Sequence, residues 1–144
     1  MKIISHRGNL NGRIPSQENH PSYIQTAIDN GYDVEIDVWW ADGRFYLGHD
    51  KPSYEIDKLF LVNHKIWCHA KNKEALSEML KIGAHCFWHE NDRFTLTSKR
   101  IPWCFPRNYQ QNGITVIHGT PEETILPCEI YGICTDHPIK WKNI

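Results

Sequence analysis

The first half of the chain alternates short apolar runs with amphipathic stretches in the order strand, helix, strand, helix, strand. This order predicts an α/β protein with parallel strands joined by right-handed crossovers. Three polar clusters, His6-Arg7-Gly8, Glu35-Ile36-Asp37 and His49-Asp50, follow or interrupt those apolar runs. In folds of this kind the polar residues at the carboxyl ends of strands form the site. His6, Asp37 and Lys71 all fall near predicted strand ends, which puts chemistry on one rim.

The elements follow in order. Residues 2–5 read as a short buried strand ending at His6, and residues 9–21 are dense in turn formers and read as a loop. Ser22 is placed to cap a helix with Pro21 just outside it; Tyr23, Ala27 and Ile28 recur at helical spacing, and Gly31 stops the helix. Residues 33–40 form a strand, Asp42-Gly43 a hairpin turn and residues 44–47 the return strand. A short helix is suggested over residues 56–62, followed by a strand over 65–70. Residues 73–82 form a helix with Ala75, Leu76, Met79, Leu80 and Ile82 on its apolar side and Gly83 at its end. Residues 85–89, 93–97, 101–105, 114–117 and 130–134 are further strands with little helix between them.

A length of 144 residues predicts one domain, able to bury roughly 70% of its unfolded surface. The net charge of −1 and the lack of a basic track exclude a nonspecific polyanion binder, so no nucleic-acid partner is expected. The five cysteines are odd in number and form no CxxC pair, which fits neither a disulfide framework nor a zinc knuckle. Cysteines in apolar runs behave as small hydrophobes, so a reducing, cytoplasmic setting is expected. The stretch Met1-Lys2-Ile3-Ile4-Ser5 lacks the apolar core of a signal peptide, and no run approaches the roughly 20 residues of a membrane span.

Glu35 and Asp37 are two apart, so on a strand they share one face, while Val34, Ile36 and Val38 make the other face apolar. Two enclosed carboxylates need a cation or basic partners. An arginine binds an anion in a fork, carboxylates hold a hard divalent cation, and histidines move protons. His6, Arg7, Glu35, Asp37 and His49 together therefore make a kit for phosphate chemistry. Four further features are weighed beside it. His89 sits where a strand end reaches substrate, Trp103 and Arg107 are placed to wall a pocket, one of Trp39 and Trp40 faces the site side, and Asp136 is placed to orient a catalytic group. Lys140 and Lys142 read as a solvated tail.

The runs ISHRGN, QEN and GYDVEIDVWWADGRFYLGHD resemble the glycerophosphodiester phosphodiesterase family, part of the phosphatidylinositol-phospholipase-C-like phosphodiesterases. The likeness covers residues 3–50, and GICTDHP near the end is similar to the family's late Thr-Asp-x-Pro strand. It implies a TIM-barrel fold, normally of about 250 residues. At 144 residues the expectation becomes a reduced or incomplete TIM-barrel-like (β/α) barrel, with any open edge covered by a second copy in a homodimer.

The resemblance also implies roles. His6 and His49 match the acid–base pair and Arg7 the phosphate-binding arginine. Glu35 and Asp37 match two ligands of a divalent metal, magnesium or calcium. Glu18 and Asn19 match a pair that builds the site, Asn19 on the phosphate side, with Glu18 and Asp50 in support. The family's third strand carries Glu-x-Lys; here Lys71 is kept to face phosphate, but His69 replaces the acid, which suits zinc, iron or manganese better than calcium. The expected activity is cleavage of a small glycerophosphodiester by attack of a neighbouring hydroxyl. The alternatives are a lyase that stops at a cyclic product, a non-catalytic module that binds a phospho-ligand, and a histidine-rich metal enzyme of another class.

Overall fold

The structure is a computed structural model that describes residues 1–127 and 129–144. Cys128, one of the five cysteines counted above, lies outside the described residues. The elements are β1 (Lys2–His6), α1 (Pro21–Asp29), β2 (Asp33–Ala41), β3 (Arg44–Leu47), β4 (Tyr54–Ile56), α2 (Lys58–Leu61), β5 (Ile66–Ala70), α3 (Lys73–Lys81), β6 (Cys86–Trp88), β7 (Phe94–Leu96), β8 (Pro102–Cys104), β9 (Ile114–Ile117), β10 (Gly132–Thr135) and α4 (Pro138–Trp141). They make an α/β protein with one mixed ten-stranded sheet. Its parallel part runs β6-β5-β2-β1-β10-β9-β8, with β3, β4 and β7 added antiparallel.

β2 organises the sheet. Successive carbonyls of a strand point to opposite edges. Accordingly Glu35 and Asp37 accept from Arg7 N at 2.8 Å and Gly48 N at 3.1 Å on one edge, and Val38 accepts from Lys71 N at 2.8 Å on the other. The chain leaving β1, β3 and β5 is thus pinned to β2 at the three positions where the sequence places polar residues.

Three local expectations need correction. The cap of α1 is His20, whose side chain accepts from Ser22 N, and Pro21 is the first helical residue because its fixed φ suits that position. The helix expected over 56–62 is a single turn capped by Asp57; Tyr54–Ile56 instead pairs with β3, since its alternating side chains fit a pleated edge. The tail with Lys140 and Lys142 is not wholly solvated: Pro138 and Trp141 are buried in α4, while both lysines stay exposed. α3 forms where expected, with Asn72 accepting from Ala75 N at 3.0 Å, Ala75 and Met79 buried and Leu76 and Ile82 packed beside them, but Leu80, read on the apolar side, is exposed.

The two faces of the sheet hold different cores. Ile24, Val34, Ile36, Val38, Ala75 and Met79 fill the side covered by α1 and α3. On the other face Ile4, Trp67, Phe87, Trp103, Ile114 and Cys134 converge from six strands. Phe87 and Trp103 stand on the two end strands of the parallel order, yet their rings stack 4.5 Å apart, so the sheet is strongly curled. Ser98 N donates to Cys86 O at 2.8 Å, laying the segment after β7 against β6. Each of these large side chains contributes roughly 1.5–3 kcal/mol by leaving water. One step further along the same face, two residues on, the strands carry His6, His69, His89 and Asp136.

Candidate active site

Neighbouring strands bring three donors together. His6 is in register with Glu35, and His69 with Asp37. Donor atoms of Glu35, Asp37 and His69 lie within 4.8 Å of one another. His69 Nδ1 stands 3.4 Å from Asp37 Oδ1 and 3.7 Å from Glu35 Oε1, while its Nε2 lies 2.8 Å from the carbonyl oxygen of His89. Burial works against a charged His69, but Asp37 and Glu35 beside it outweigh that and raise its pKa to about 9.

Asp37 is fully buried and held from several sides. Asn19 donates to its Oδ2 at 2.9 Å and accepts from its backbone N–H at 2.9 Å. Arg7 Nε is 2.9 Å from the same oxygen without aiming its N–H at it, a charge contact rather than a hydrogen bond. Lys71 Nζ is 3.8 Å from Oδ1. Burial favours the protonated acid, but His69, Arg7 and Lys71 hold the carboxyl well below the usual range. Glu35 Oε2 and Asp37 Oδ1 are nevertheless buried without a hydrogen-bond partner. Such oxygens are costly unless something positive meets them. Two carboxylates, an imidazole and two orphaned oxygens therefore fit a divalent cation held by Glu35, Asp37 and His69.

Beside this cluster His6 Nδ1 meets Asp136 Oδ1 at 2.8 Å, and its Nε2 lies 3.8 Å from Glu35 Oε2. Burial pulls the His6 pKa down, but Asp136 and Glu35 outweigh it and the net direction is up. Asn9 donates to both Asp136 Oδ1, at 2.8 Å, and Glu18 Oε1, at 3.0 Å. Glu18 Oε2 in turn accepts from Arg7 at 3.2 Å, which aims the guanidinium.

His6, Arg7, Glu35, His49, His69 and Lys71 all line one cleft of about 370 Å³. His49 reaches it from the turn after β3, with Nδ1 2.7 Å from Oδ1 of the exposed Asp50. Trp88, Trp103 and Phe105 supply an aromatic wall, and His89 also borders it.

Not every expected residue reaches the cleft. Asn19, expected on the phosphate side, is buried with both ends of its amide engaged by Asp37, so it positions the carboxylate and does not line the cleft. Asp37 lies beneath the cleft surface, and Glu18 and Asp50 act through Arg7 and His49. Arg107 borders an adjoining hollow that shares Pro106, Val116 and His118 with the cleft. Trp39 shares its face of β2 with Glu35 and Asp37, as expected of one of the two tryptophans, but neither lines the cleft: Trp39 Nε1 donates to Gly48 O at 2.6 Å, and Trp40 packs on Phe45.

Trp88 and Phe105 of the aromatic wall were not foreseen, nor were His118 and Asn9. His118 lines the cleft, with Nδ1 3.8 Å from Asp136 Oδ2. It directly follows the strand read at 114–117, the same strand-end signal that singled out His6. Asn9 carried no such signal, because its role depends on a partner 127 residues away. Comparison with family models, curated proteins and solved structures finds no match for this chain.

Proposed function

We propose that the protein is a metal-dependent phosphodiesterase of the glycerophosphodiester type, built on a reduced (β/α) barrel of TIM-barrel type. One observation carries the reading. Two histidines, His6 on Asp136 and His49 on Asp50, line the same cleft as Arg7, Lys71, Glu35 and His69, with Asp37 buried beside the last two. A carboxylate only accepts, so each anchored Nδ1 carries the hydrogen and each Nε2 is left for proton transfer.

The substrate is a small phosphodiester with a free hydroxyl beside the phosphate. That hydroxyl attacks phosphorus; one imidazole takes its proton, and the other, protonated, gives one to the departing alkoxide. Arg7 and Lys71 neutralise the non-bridging oxygens as charge builds on them. A divalent cation on Glu35, Asp37 and His69 would add Lewis-acid stabilisation of that charge. Water, activated by the same imidazoles in reverse roles, then opens the cyclic phosphate; release of the cyclic ester before that step would be the lyase outcome. The net charge of −1 supports an isolated diester over a polynucleotide. The free, buried Cys68, Cys86, Cys104 and Cys134 support a reducing cytoplasm. No helix among the described residues is long and apolar enough to cross a membrane.

His6→Ala and His49→Ala are each expected to abolish turnover of a glycerophosphodiester, read by release of the alcohol, while circular dichroism stays unchanged. Full turnover in both variants overturns the assignment. The replacement of an acid by His69 favours one second reading, a module that binds such ligands without cleaving them. Calorimetry that finds binding, with no turnover across several metals and diesters, selects it.

A further inference from the structure

We propose that His69 makes this centre selective for a first-row transition dication, manganese through zinc, over magnesium and calcium. This selectivity rests on Glu35, Asp37 and His69 holding a cation and not on any turnover.

The orientation of the ring comes first. The His89 carbonyl can only accept, so His69 Nε2, 2.8 Å away, carries its hydrogen there. The nitrogen left facing Asp37 Oδ1 and Glu35 Oε1, at 3.4 and 3.7 Å, is Nδ1. An imidazole whose outer N–H is tied to a backbone carbonyl is the arrangement that presets a histidine for a metal. The ring also lies flat on Phe87, at 5.1 Å and 10°, so it is held in that plane.

The donor set points the same way. Magnesium and calcium take oxygen ligands, and the affinity of such sites follows the number of carboxylate charges. Here only two carboxylates are offered, and Arg7 and Lys71 already stand 2.9 and 3.8 Å from one of them. A site whose negative charge is partly met by fixed cations is poor for an ion held by charge alone. A directional nitrogen donor keeps its value for ions that accept imidazole. Glu35 Oε2 and Asp37 Oδ1 remain buried without a hydrogen-bond partner, and one donor atom each of Glu35, Asp37 and His69 fall within 4.8 Å of one another, close enough to share one ion.

The test is calorimetric titration of chelator-stripped protein with Mn²⁺, Co²⁺, Zn²⁺, Mg²⁺ and Ca²⁺ separately. One equivalent of a transition ion is expected to bind at least about tenfold more tightly than magnesium or calcium. The cobalt-loaded protein should show visible absorption that differs from aqueous cobalt. His69→Glu is expected to reverse the preference, and His69→Gln to weaken transition-ion binding by about tenfold or more without a gain for magnesium. Equal binding of magnesium or calcium by the parent protein overturns the proposal. So does a preference unchanged in both variants, or no binding of any of the five ions. Selective binding together with no diester turnover would instead count against the phosphodiesterase reading alone.

Discussion

His6 and Asp136 meet at 2.8 Å across 130 residues of chain. The contact exists because β10 lies directly beside β1, in register from Lys2 with Gly132 to Ser5 with Thr135. Burial would favour the protonated Asp136, yet His118 and His6 hold its carboxyl well below the usual carboxylate range. Asp136 is therefore a fixed anion that selects the tautomer of His6.

Asp136→Asn removes the charge but keeps the shape. It should lower kcat on a glycerophosphodiester by about 10²–10⁴-fold with the melting curve little changed. A kcat within about threefold of the parent would mean that the His6–Asp136 pair has no catalytic role.

Asn19→Ala strips Asp37 of a donor to its carboxylate and of the acceptor for its backbone N–H. Leaving two buried groups unpaired should cost about 2–4 kcal/mol in urea unfolding. A loss below about 0.5 kcal/mol, the ordinary range for surface changes, would show that water replaces the amide.

Gly48 has φ +151°, and a Cβ there would run into the Lys51 carbonyl and the Ser53 side chain. Gly48→Ala should shift the turn that carries His49 and lower kcat/KM as well as stability. Gly43, at φ +73° with open space around it, is the control, and Gly43→Ala should cost about 1 kcal/mol and leave kcat/KM alone. Equal kinetic effects of the two substitutions would separate His49 from the turn geometry.

His85 is buried, bonded to Thr97 Oγ1 at 2.8 Å and packed on Trp67. Burial and the nearby Lys99 lower its pKa from 6.5 to about 4. A depressed histidine favours the neutral form in the folded state, so its contribution is complete above 6.5 and is lost as pH falls toward 4. At about 1.4 kcal/mol per pH unit the loss is of order 3 kcal/mol. His85→Gln should flatten the fall in stability between pH 6.5 and 4, measured by denaturation at several pH values. An identical slope in parent and variant would refute it.

Much of this arrangement was legible in the sequence because its signals are local. The alternation over Val34–Val38, the Asp42-Gly43 turn and the spacing of Ala75 and Met79 need no knowledge of neighbours. The strand-end rule singled out His6, Asp37 and Lys71, and the family resemblance pointed to Arg7 and His69; that His69 stands beside Asp37 came only with the register of β5 on β2. What the sequence withheld was adjacency. Asn9 and Asp136 belong together only because β10 packs on β1, and nothing local announces that neighbour. Asn19 was misassigned for the same reason: its partner Asp37 comes from another strand, and the match of residue types said nothing of which way its amide points. Tyr54–Ile56 and α4 were too short for periodicity to separate them from loop or tail.

The inward face of the sheet has a consequence for how such a chain can change. Along β1, β5 and β10 one residue, Ile4, Trp67 or Cys134, secures the interior, and the next on that side, His6, Asp37's neighbour His69 or Asp136, lines the cleft or, for Asp136, holds a residue that does. Exchanging an upper residue leaves the lower contacts intact. A protein of 144 residues can therefore acquire a new preference one strand end at a time, and the scaffold and the chemistry can evolve on separate schedules.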